Sequence, residues 1–178
     1  GGGAVFNDEG NFNFTFISCN TGEDFTNFEK FTIPIILALK KIGILVEFSG
    51  RNDLTIEGKK FSGNAQCKYK DKVLHHGTLL FSSDFSDMAS ALRVKDIKLS
   101  SKGIKSVKSR VVNISDFLKF PMNIEEFREY LFNEVLKNTE NAKIYHITEE
   151  DLLEINLISE KKYATWQWNF GNSPQFNV

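Results

Sequence analysis

Apolar and polar residues alternate along several short stretches of the chain, which is the pattern of a strand with one buried face. It is clearest in FNFTFI (12–17), where a tight turn at DEGN (8–11) comes first and predicts a strand–turn–strand opening. Similar patterns, bounded by turn residues, predict further strands in ILVEFS (44–49), LTI (54–56), VLHHGTLLF (73–81) and the end of SSKGIKSVKSRVVNI (100–114).

Helical spacing of apolar residues is found in the stretch 24–42, whose buried face is predicted to hold Phe28, Phe31, Ile35, Leu39 and Ile42. Pro34 predicts a kink or the start of the regular part, because proline lacks the amide that an inner helical turn needs. Gly43 predicts the end of this helix, since glycine readily takes the left-handed conformation found there.

Three more helices are predicted downstream. SSDFSDMASAL (82–92) is typical of a short helix, with Ser83 as its cap. A longer helix is predicted for Asn123–Asn138, where a capping side chain and early glutamates precede a buried stripe of Phe127, Leu131 and Val135. A last helix is predicted for Thr148–Ile158, with the threonine as its cap.

Strands joined by hairpins, with helices between some of them, predict an α+β fold: a mixed, largely antiparallel sheet covered by helices. Neither an internal repeat nor a low-complexity linker divides the sequence. We therefore expect residues 1–178 to form one domain, a size that suits a sizeable core.

The composition narrows the choice of partner and compartment. The charges nearly cancel, at 22 Lys and Arg against 23 Asp and Glu, so we expect neither nucleic acid nor a membrane as a partner. No apolar run approaches the roughly 18 residues of a membrane span, and GGGAVF lacks the charged region of a signal peptide. Cys19 and Cys67 have no metal-ligand spacing, which favours reduced thiols and a cytoplasmic protein.

The segment SGRNDLTIEGKKFSGNAQ (49–66) carries the candidate chemistry. A hairpin turn near Gly58 would bring Lys60 back to face Asp53 across two antiparallel strands, with Asn52 beside them. The small residues that follow would leave room for a ligand. An ammonium suits a reaction that places negative charge on carboxylate and phosphate oxygens. A lysine-rich turn that is simply solvated is the alternative.

Three other segments have two interpretations each. The glycine triplet 1–3 allows close backbone approach to an anion, yet it can equally be a flexible end. His75 and His76 point to opposite faces of a strand, so at most one faces a pocket, and a hydrogen-bonded structural role is favoured over a catalytic one. The basic segment SSKGIKSVKSR (100–110) is either a lid that closes over phosphate or a solvated loop.

In combination these segments resemble the lipoate–protein ligase family. GGGAVFND, with the following GN and NF, resembles its lipoate-binding segment, SGRNDLTIEGKKFSGNA its Asn-Asp and lysine segments, and HHGTLL the motif that follows. KGIKSVKSRVVN resembles its adenylate-binding loop, and WQWNFGNSPQF the motif that closes the catalytic domain. The resemblance runs from Gly1 to Phe176 in the family's order, and the Asn-Asp and lysine arrangement also resembles the biotin–protein ligases.

The resemblance implies the catalytic-domain fold of biotin and lipoate protein ligases and a reaction in two steps. Lipoate and ATP, with Mg²⁺, would give lipoyl-AMP and pyrophosphate. The lipoyl group would then pass to a lysine of an acceptor lipoyl domain. The implied acceptors are the E2 subunits of 2-oxoacid dehydrogenases and the H protein of glycine cleavage.

The resemblance also implies roles for individual residues. Lys60 would be the catalytic lysine, and Asp53 would contact Mg²⁺. The implied ATP-binding residues are Gly3, Ala4, Val5, Phe6, Asn52, Asp53 and Lys60. The implied lipoate-binding residues are Gly1, Gly2, Gly3, Lys60 and His76. The implied adenylate-binding loop residues are Lys102, Gly103, Ser106, Val107 and Arg110.

The apolar lipoyl tail would need an apolar slot. Phe14 and Phe16 are candidates for its wall, although an ordinary core position is favoured for each of them. Asn7 stands where many members have histidine, so no titrating role is expected there.

The family's arginine pair would precede Gly1, its small accessory domain would follow Val178, and the sequence begins without methionine. We therefore expect a fragment that is inactive by itself. Two alternatives to the ligase are an octanoyl or lipoyl transferase that works without ATP and a non-catalytic module that binds lipoate or a lipoyl domain. Cys19 and Cys67 are transferase nucleophiles by residue type only, since their surroundings match no transferase motif.

Overall fold

A computed structural model of the chain describes residues 5–19, 25–50, 52–91 and 110–171. The chain divides into two compact units, Gly1–Glu140 and Asn141–Val178. The strands described in the first unit are β1 (Asn11–Cys19), β2 (Glu47–Ser49), β3 (Asp53–Ile56), β4 (Lys59–Tyr69) and β5 (Lys72–Leu80). They form one sheet in the order β1–β5–β4–β3–β2, and each neighbouring pair is antiparallel.

Helices fill the connections that the hairpins leave open. The first unit contains α1 (Phe28–Lys41), α2 (Phe85–Ala91), a 3₁₀ turn (Ile114–Phe117) and α3 (Ile124–Lys137). A single parallel bridge joins Lys60 of β4 to Val111. The predicted α+β architecture, a mixed but largely antiparallel sheet with helices against it, is therefore confirmed.

The core of the first unit lies between the sheet and its two long helices. α1 and α3 pack together, and the Tyr130 hydroxyl on α3 donates a 2.7 Å hydrogen bond to the Ala38 carbonyl on α1. The Phe81 and Phe127 rings stack with their centroids 4.7 Å apart. The fully buried apolar side chains that surround them are Ile35, Leu39, Ile44, Leu54, Phe61, Leu79 and Ile114.

α1 follows the predicted pattern closely. Its cap is Asn27, whose side chain accepts a hydrogen bond from the Lys30 amide, and the helix continues through Pro34. Gly43 ends it with a φ of +85°, the left-handed conformation expected of a glycine just past a helix. The strand predicted for residues 44–49 begins only at Glu47, because Ile44 instead folds into the core beneath α1.

The predicted cap of α2 is wrong by one residue. The Asp84 carboxylate, not Ser83, accepts from the amides of the first turn, at 2.7 Å from Ser86 N and 3.4 Å from Asp87 N. Ser83 is committed elsewhere, because its hydroxyl donates a 3.0 Å hydrogen bond to Asp8. Asp8 also accepts from the Asp84 amide and so joins the turn before β1 to the start of α2.

Three smaller predictions also need correction. Residues 5–8 form no strand, so the strand expected before the turn is not found among the described residues. The expected strand at the end of 100–114 is reduced to the bridge at Val111, followed by the 3₁₀ turn. In α3 the third buried side chain is Glu134 rather than Val135, and its carboxylate lies between Lys41 and Lys137.

The second unit contains α4 (Glu149–Ile158), followed by π-helical turns at Ser159–Tyr163 and Gln167–Gly171. Thr148 caps α4 as predicted, in a reciprocal capping box with Asp151. Large apolar side chains of this unit are exposed, including Tyr145, Leu153 and Trp166. Across the described residues of both units, no helix combines the length and the apolar character that crossing a bilayer requires.

We expect Gly10→Ala to lower the free energy of unfolding by about 2 kcal/mol or more. A Cβ at Gly10 would lie 2.3 Å from the carbonyl carbon and oxygen of Ser82, and backbone atoms cannot move aside easily. Gly58→Ala is the control, because space is open there and only the positive φ of +73° opposes the change, at about 1–2 kcal/mol. Urea unfolding midpoints compare the two variants, and equal losses would contradict the close contact at Gly10.

Candidate functional site

The candidate site begins at the hairpin that joins β3 to β4. Its two turn residues, Glu57 and Gly58, both have positive φ, at +52° and +73°. Two consecutive residues of this kind form the turn whose twist matches that of the flanking strands. The hairpin predicted near Gly58 is therefore confirmed, and it brings Lys60 back beside the start of β3.

The register of this hairpin contains a β-bulge. Leu54 is opposite Ser62, but the next residue, Thr55, is opposite Lys60, so Phe61 is an extra residue in β4. Side chains alternate along a strand, and an extra residue reverses the alternation. Because of it, the Phe61 side chain lies in the core, while Lys60 lies on the same face as Gly63 and Asp53.

Lys60 and Asp53 form an ion pair in which Nζ lies 2.8 Å from Oδ1. The predicted contact is present, but it is diagonal, since Asp53 is opposite Gly63 in the ladder. The two side chains are 42% and 35% exposed, so the pair is weak and leaves the ammonium accessible to another anion. A Cβ on Gly63 would lie only 2.8 Å from Nζ, which shows why the ammonium needs a glycine there.

The backbone of Lys60 is held by the chain that follows the basic segment. Its amide donates to the Arg110 carbonyl at 2.9 Å, and its carbonyl accepts from the Val112 amide at 3.0 Å. Arg110 thus lies where the basic segment returns to the sheet, next to the candidate lysine. The other four residues predicted for the adenylate-binding loop, Lys102, Gly103, Ser106 and Val107, lie outside the described residues.

A cavity of about 790 Å³ opens over the face of the sheet to which Lys60 points. Predicted site residues in its wall are Val5, Phe6, Asn52, Lys60 and His76. Its other lining residues are a mixture of polar or small and apolar side chains: Asn13, Thr15, Ser62, Gly63, Asn64, Ala65, Thr78, Phe61, Leu74, Leu80, Met88 and Val111. This combination suits a ligand with one charged end and one apolar end.

The remaining predictions divide between this cavity and other places. Gly1, Gly2, Gly3 and Ala4 lie outside the described residues. Phe14 and Phe16 pack against the core, so the core role favoured for them is confirmed, while Asn13 and Thr15, which alternate with them, line the cavity. A second cavity, of about 660 Å³, is lined by Lys59, Asp84 and Asp116 among others and contains no predicted site residue.

The two adjacent histidines point to opposite faces, as predicted. His76 lines the cavity, whereas His75 is fully buried on the helix side, with its ring stacked on Phe31 at 5.0 Å. Burial, together with the nearby His76, lowers the pKa of His75 from 6.5 to about 4, so this ring is neutral at neutral pH. The preference for a hydrogen-bonded structural histidine is confirmed by its contacts with Asn64 and Gln66.

Asn64 and Gln66 were missed by the sequence reasoning. They alternate along β4, and their side chains meet His75 of β5 on the face covered by α1. The available signal was that alternation, because polar residues two apart beside a histidine share its face once the two strands pair.

The described residues do not form a resident magnesium site. No group of three or more His, Cys, Asp or Glu in the described part of the chain could hold a metal ion. Asp53, the predicted contact, is engaged with Lys60. A magnesium ion is commonly held through substrate phosphates with one or two carboxylates, so a contribution from Asp53 stays a prediction.

Comparison with known proteins gives a consistent result. Residues 1–136 match the family described as the lipoyl protein ligase A/B catalytic domain. Over 180 residues the chain is 48% identical to lipoate-protein ligase LplJ of Bacillus subtilis (strain 168), and the match covers 100% of this chain and 54% of the relative. The chain thus spans about half the length of the curated relatives it matches.

Solved structures resemble this chain as well. One is a bi-partite lipoate protein ligase from Thermoplasma acidophilum, from a structural analysis of an archaeal lipoylation system that includes its E2 lipoyl domain. It gives a TM-score of 0.81 at 28% identity, and the match covers 100% of this chain and 71% of the other. A crystal structure of lipoate-protein ligase A bound with ATP gives a TM-score of 0.73 at 27% identity, over 96% and 69%.

We expect the protein to become less stable as the pH is lowered, because of His75. The pKa of this histidine is about 4 in the folded protein, against an ordinary value of 6.5 that applies to the unfolded chain. As the pH falls, the unfolded chain therefore takes up the proton first. The contribution is complete above pH 6.5 and is lost toward pH 4, by about 1–3 kcal/mol. Urea unfolding at pH 7, 5 and 4 measures it: the stability difference between wild type and His75→Phe should narrow as pH falls. If the unfolding free energies of wild type and the variant change with pH in parallel, His75 is not a buried neutral imidazole.

Proposed function

The chain belongs to the lipoyl protein ligase A/B catalytic domain family, and from this we propose that the full-length protein activates lipoate with ATP and attaches it to a lysine of an acceptor lipoyl domain. The observation that carries the proposal is the Lys60 ammonium, which lies over Gly63 in a cavity lined by both polar and apolar side chains. The ion pair with Asp53 leaves the ammonium partly exposed, so a ligand anion can also reach it.

In the first step a lipoate carboxylate oxygen attacks the α-phosphorus of ATP, and the bond from that phosphorus to the bridging oxygen breaks. The products are lipoyl-AMP and pyrophosphate. Negative charge gathers on the carboxylate and phosphate oxygens, and the Lys60 ammonium stabilises it at the point where it develops. Because Gly63 has no side chain, these oxygens can approach the ammonium closely.

In the second step the ε-amine of the acceptor lysine attacks the acyl carbon. An amide bond forms, the acyl–oxygen bond to AMP breaks, and the amine loses a proton to a base that we do not assign. Lys60 stabilises the oxygens of the tetrahedral intermediate and of the departing AMP. The same ammonium therefore serves both steps.

The other predicted residues complete the proposed site. With Lys60, the residues that would contact ATP are Gly3, Ala4, Val5, Phe6, Asn52 and Asp53, and those that would contact lipoate are Gly1, Gly2, Gly3 and His76. Lys102, Gly103, Ser106, Val107 and Arg110 would close over the adenylate and protect it from water. The Lys60–Arg110 hydrogen bond supports this, because it joins that segment to the lysine itself. Mg²⁺ would enter as the counter-ion of the ATP phosphates, with Asp53 as its proposed protein contact.

The proposed partners are lipoyl domains of 2-oxoacid dehydrogenase E2 subunits and the glycine cleavage H protein, and the proposed compartment is the cytoplasm. The archaeal ligase named above was studied together with its E2 lipoyl domain, which supports acceptors of this type. A transferase with a cysteine nucleophile is disfavoured, since neither Cys19 nor Cys67 is among the residues that line the cavity with Lys60.

Lys60→Ala in the full-length protein should reduce lipoate-dependent exchange of pyrophosphate into ATP by at least about 100-fold, because it removes the charge that stabilises the activation step. Lys59→Ala is the matched control, since Lys59 is exposed and borders the other cavity. Its exchange rate should stay at the wild-type level. Exchange that persists in Lys60→Ala, or acceptor modification from an acyl-carrier donor without ATP, would overturn the assignment.

Gly63→Ala should lower the exchange rate about ten-fold by displacing the ammonium, which is the group that a new Cβ would meet. The free energy of unfolding should change little, since the far end of a lysine side chain moves aside easily. Rate and unfolding midpoint are measured on the same preparation. A loss of stability with an unchanged rate would show that Lys60 does not need the space over Gly63.

A further inference from the structure

Asn64 holds the chain at the start of β3. It is buried, with 4% of its surface exposed. Its amide and its side-chain Nδ2 both donate to the Asn52 carbonyl, at 3.0 and 2.9 Å, and its carbonyl accepts from Asn52 Nδ2 at 2.6 Å. Three hydrogen bonds therefore connect β4 to the residue immediately before Asp53, the partner of Lys60.

His75 fixes the orientation of the Asn64 side chain. The Asn64 Oδ1 atom can only accept, so His75 Nε2, at 3.2 Å, must carry the proton and donate it. His75 Nδ1 then accepts from Gln66 Nε2 at 3.2 Å. Since both ring nitrogens are used, the neutral ring has one tautomer, and the Asn64 amide cannot turn without breaking the contact.

Gln66 joins this chain of hydrogen bonds to the start of α1. Its Oε1 accepts from the Thr26 amide at 2.7 Å, and its Nε2 also reaches the Asn27 carbonyl at 3.3 Å. Asn27 is the cap of α1. A continuous polar path therefore runs from α1 through Gln66, His75 and Asn64 to Asn52.

We propose that Gln66, His75 and Asn64 are positioning residues for the ligase reaction, and that they act by holding the Asn52–Asp53 corner so that Asp53 aims the Lys60 ammonium into the cavity. The inference rests on the proposed function. His75 and Gln66 are not among the cavity-lining residues, so they act through the corner and not on a ligand.

The geometry of this polar path suits a role in positioning Asn52 and Asp53, beyond its contribution to stability. Its hydrogen bonds converge on Asn52 from the backbone and the side chain of a single residue, and every link is directional. The group that it holds, Asp53, is partly exposed and forms only a weak ion pair. The ladder pairs Asp53 with Ser49 and Gly63, and Asn64 adds the three hydrogen bonds that fix the residue immediately before it.

The test is a double-mutant cycle on pyrophosphate exchange in the full-length protein. His75→Phe keeps a ring against Phe31 but removes both hydrogen bonds, and it should lower kcat about ten-fold while the KM for lipoate changes much less. In an Asp53→Ala background the same change should cost less than about two-fold, because the carboxylate through which the path acts on Lys60 is then absent. If the fold-changes in kcat caused by the two single substitutions simply multiply in the double variant, the inference is overturned.

Two further variants separate positioning from stability. Ile35→Val removes a methylene from a fully buried side chain of α1 that is not among the cavity-lining residues, so it should lower the unfolding midpoint and leave kcat unchanged. Gln66→Leu, at a partly exposed site, should reproduce a smaller fall in kcat even if His75→Phe fails to fold. A fall in kcat that follows the unfolding midpoint across all variants would overturn the inference.

The outcomes also distinguish this inference from the proposed function. Exchange in the wild type with an unaffected Gln66→Leu variant would overturn the positioning role alone. No exchange in the wild type would overturn the proposed function and this inference with it. Nitrogen-15 spectra provide a separate readout, since wild-type His75 should show a protonated Nε2 and an unprotonated Nδ1, and the opposite tautomer would overturn the path.

Discussion

One extra residue in β4 decides where the lysine points. Without Phe61 as a bulge, Lys60 would alternate in step with Ser62 and Asn64 and would lie on the side covered by the helices. With it, an aromatic ring enters the core and the ammonium enters the cavity. The bulge therefore places the Phe61 ring in the core and the Lys60 ammonium on the other face of the sheet.

Much of the fold follows from periodicity and turn chemistry. The strand at FNFTFI, the helix ended by Gly43 and the helix capped by Asn123 are all present, because each depends on neighbours within a few residues. The failures have a different origin. Ile44 and Glu134 depart from their local patterns because other elements pack against them, and Asp84 replaces Ser83 as a cap because Asp8, far away in sequence, binds the serine.

The candidate site was predictable in its members but not in its geometry. The spacing of Asp53 and Lys60 indicated a contact across a hairpin, and that contact is present. The diagonal register was not predictable, since a bulge depends on how Phe61 packs and leaves no signature in the spacing. The supporting roles of Asn64 and Gln66 were equally hidden, because they require the pairing of β4 with β5.

The bulge also limits how this hairpin can vary or be transplanted. Removing Phe61 would keep the motif letters almost intact yet turn the amine to the side of the sheet that the helices cover. Counting residues in this loop is therefore as informative as matching them. A homologue or a redesigned enzyme that has the lysine but lacks the extra residue would carry the ammonium on the face of the sheet opposite the cavity.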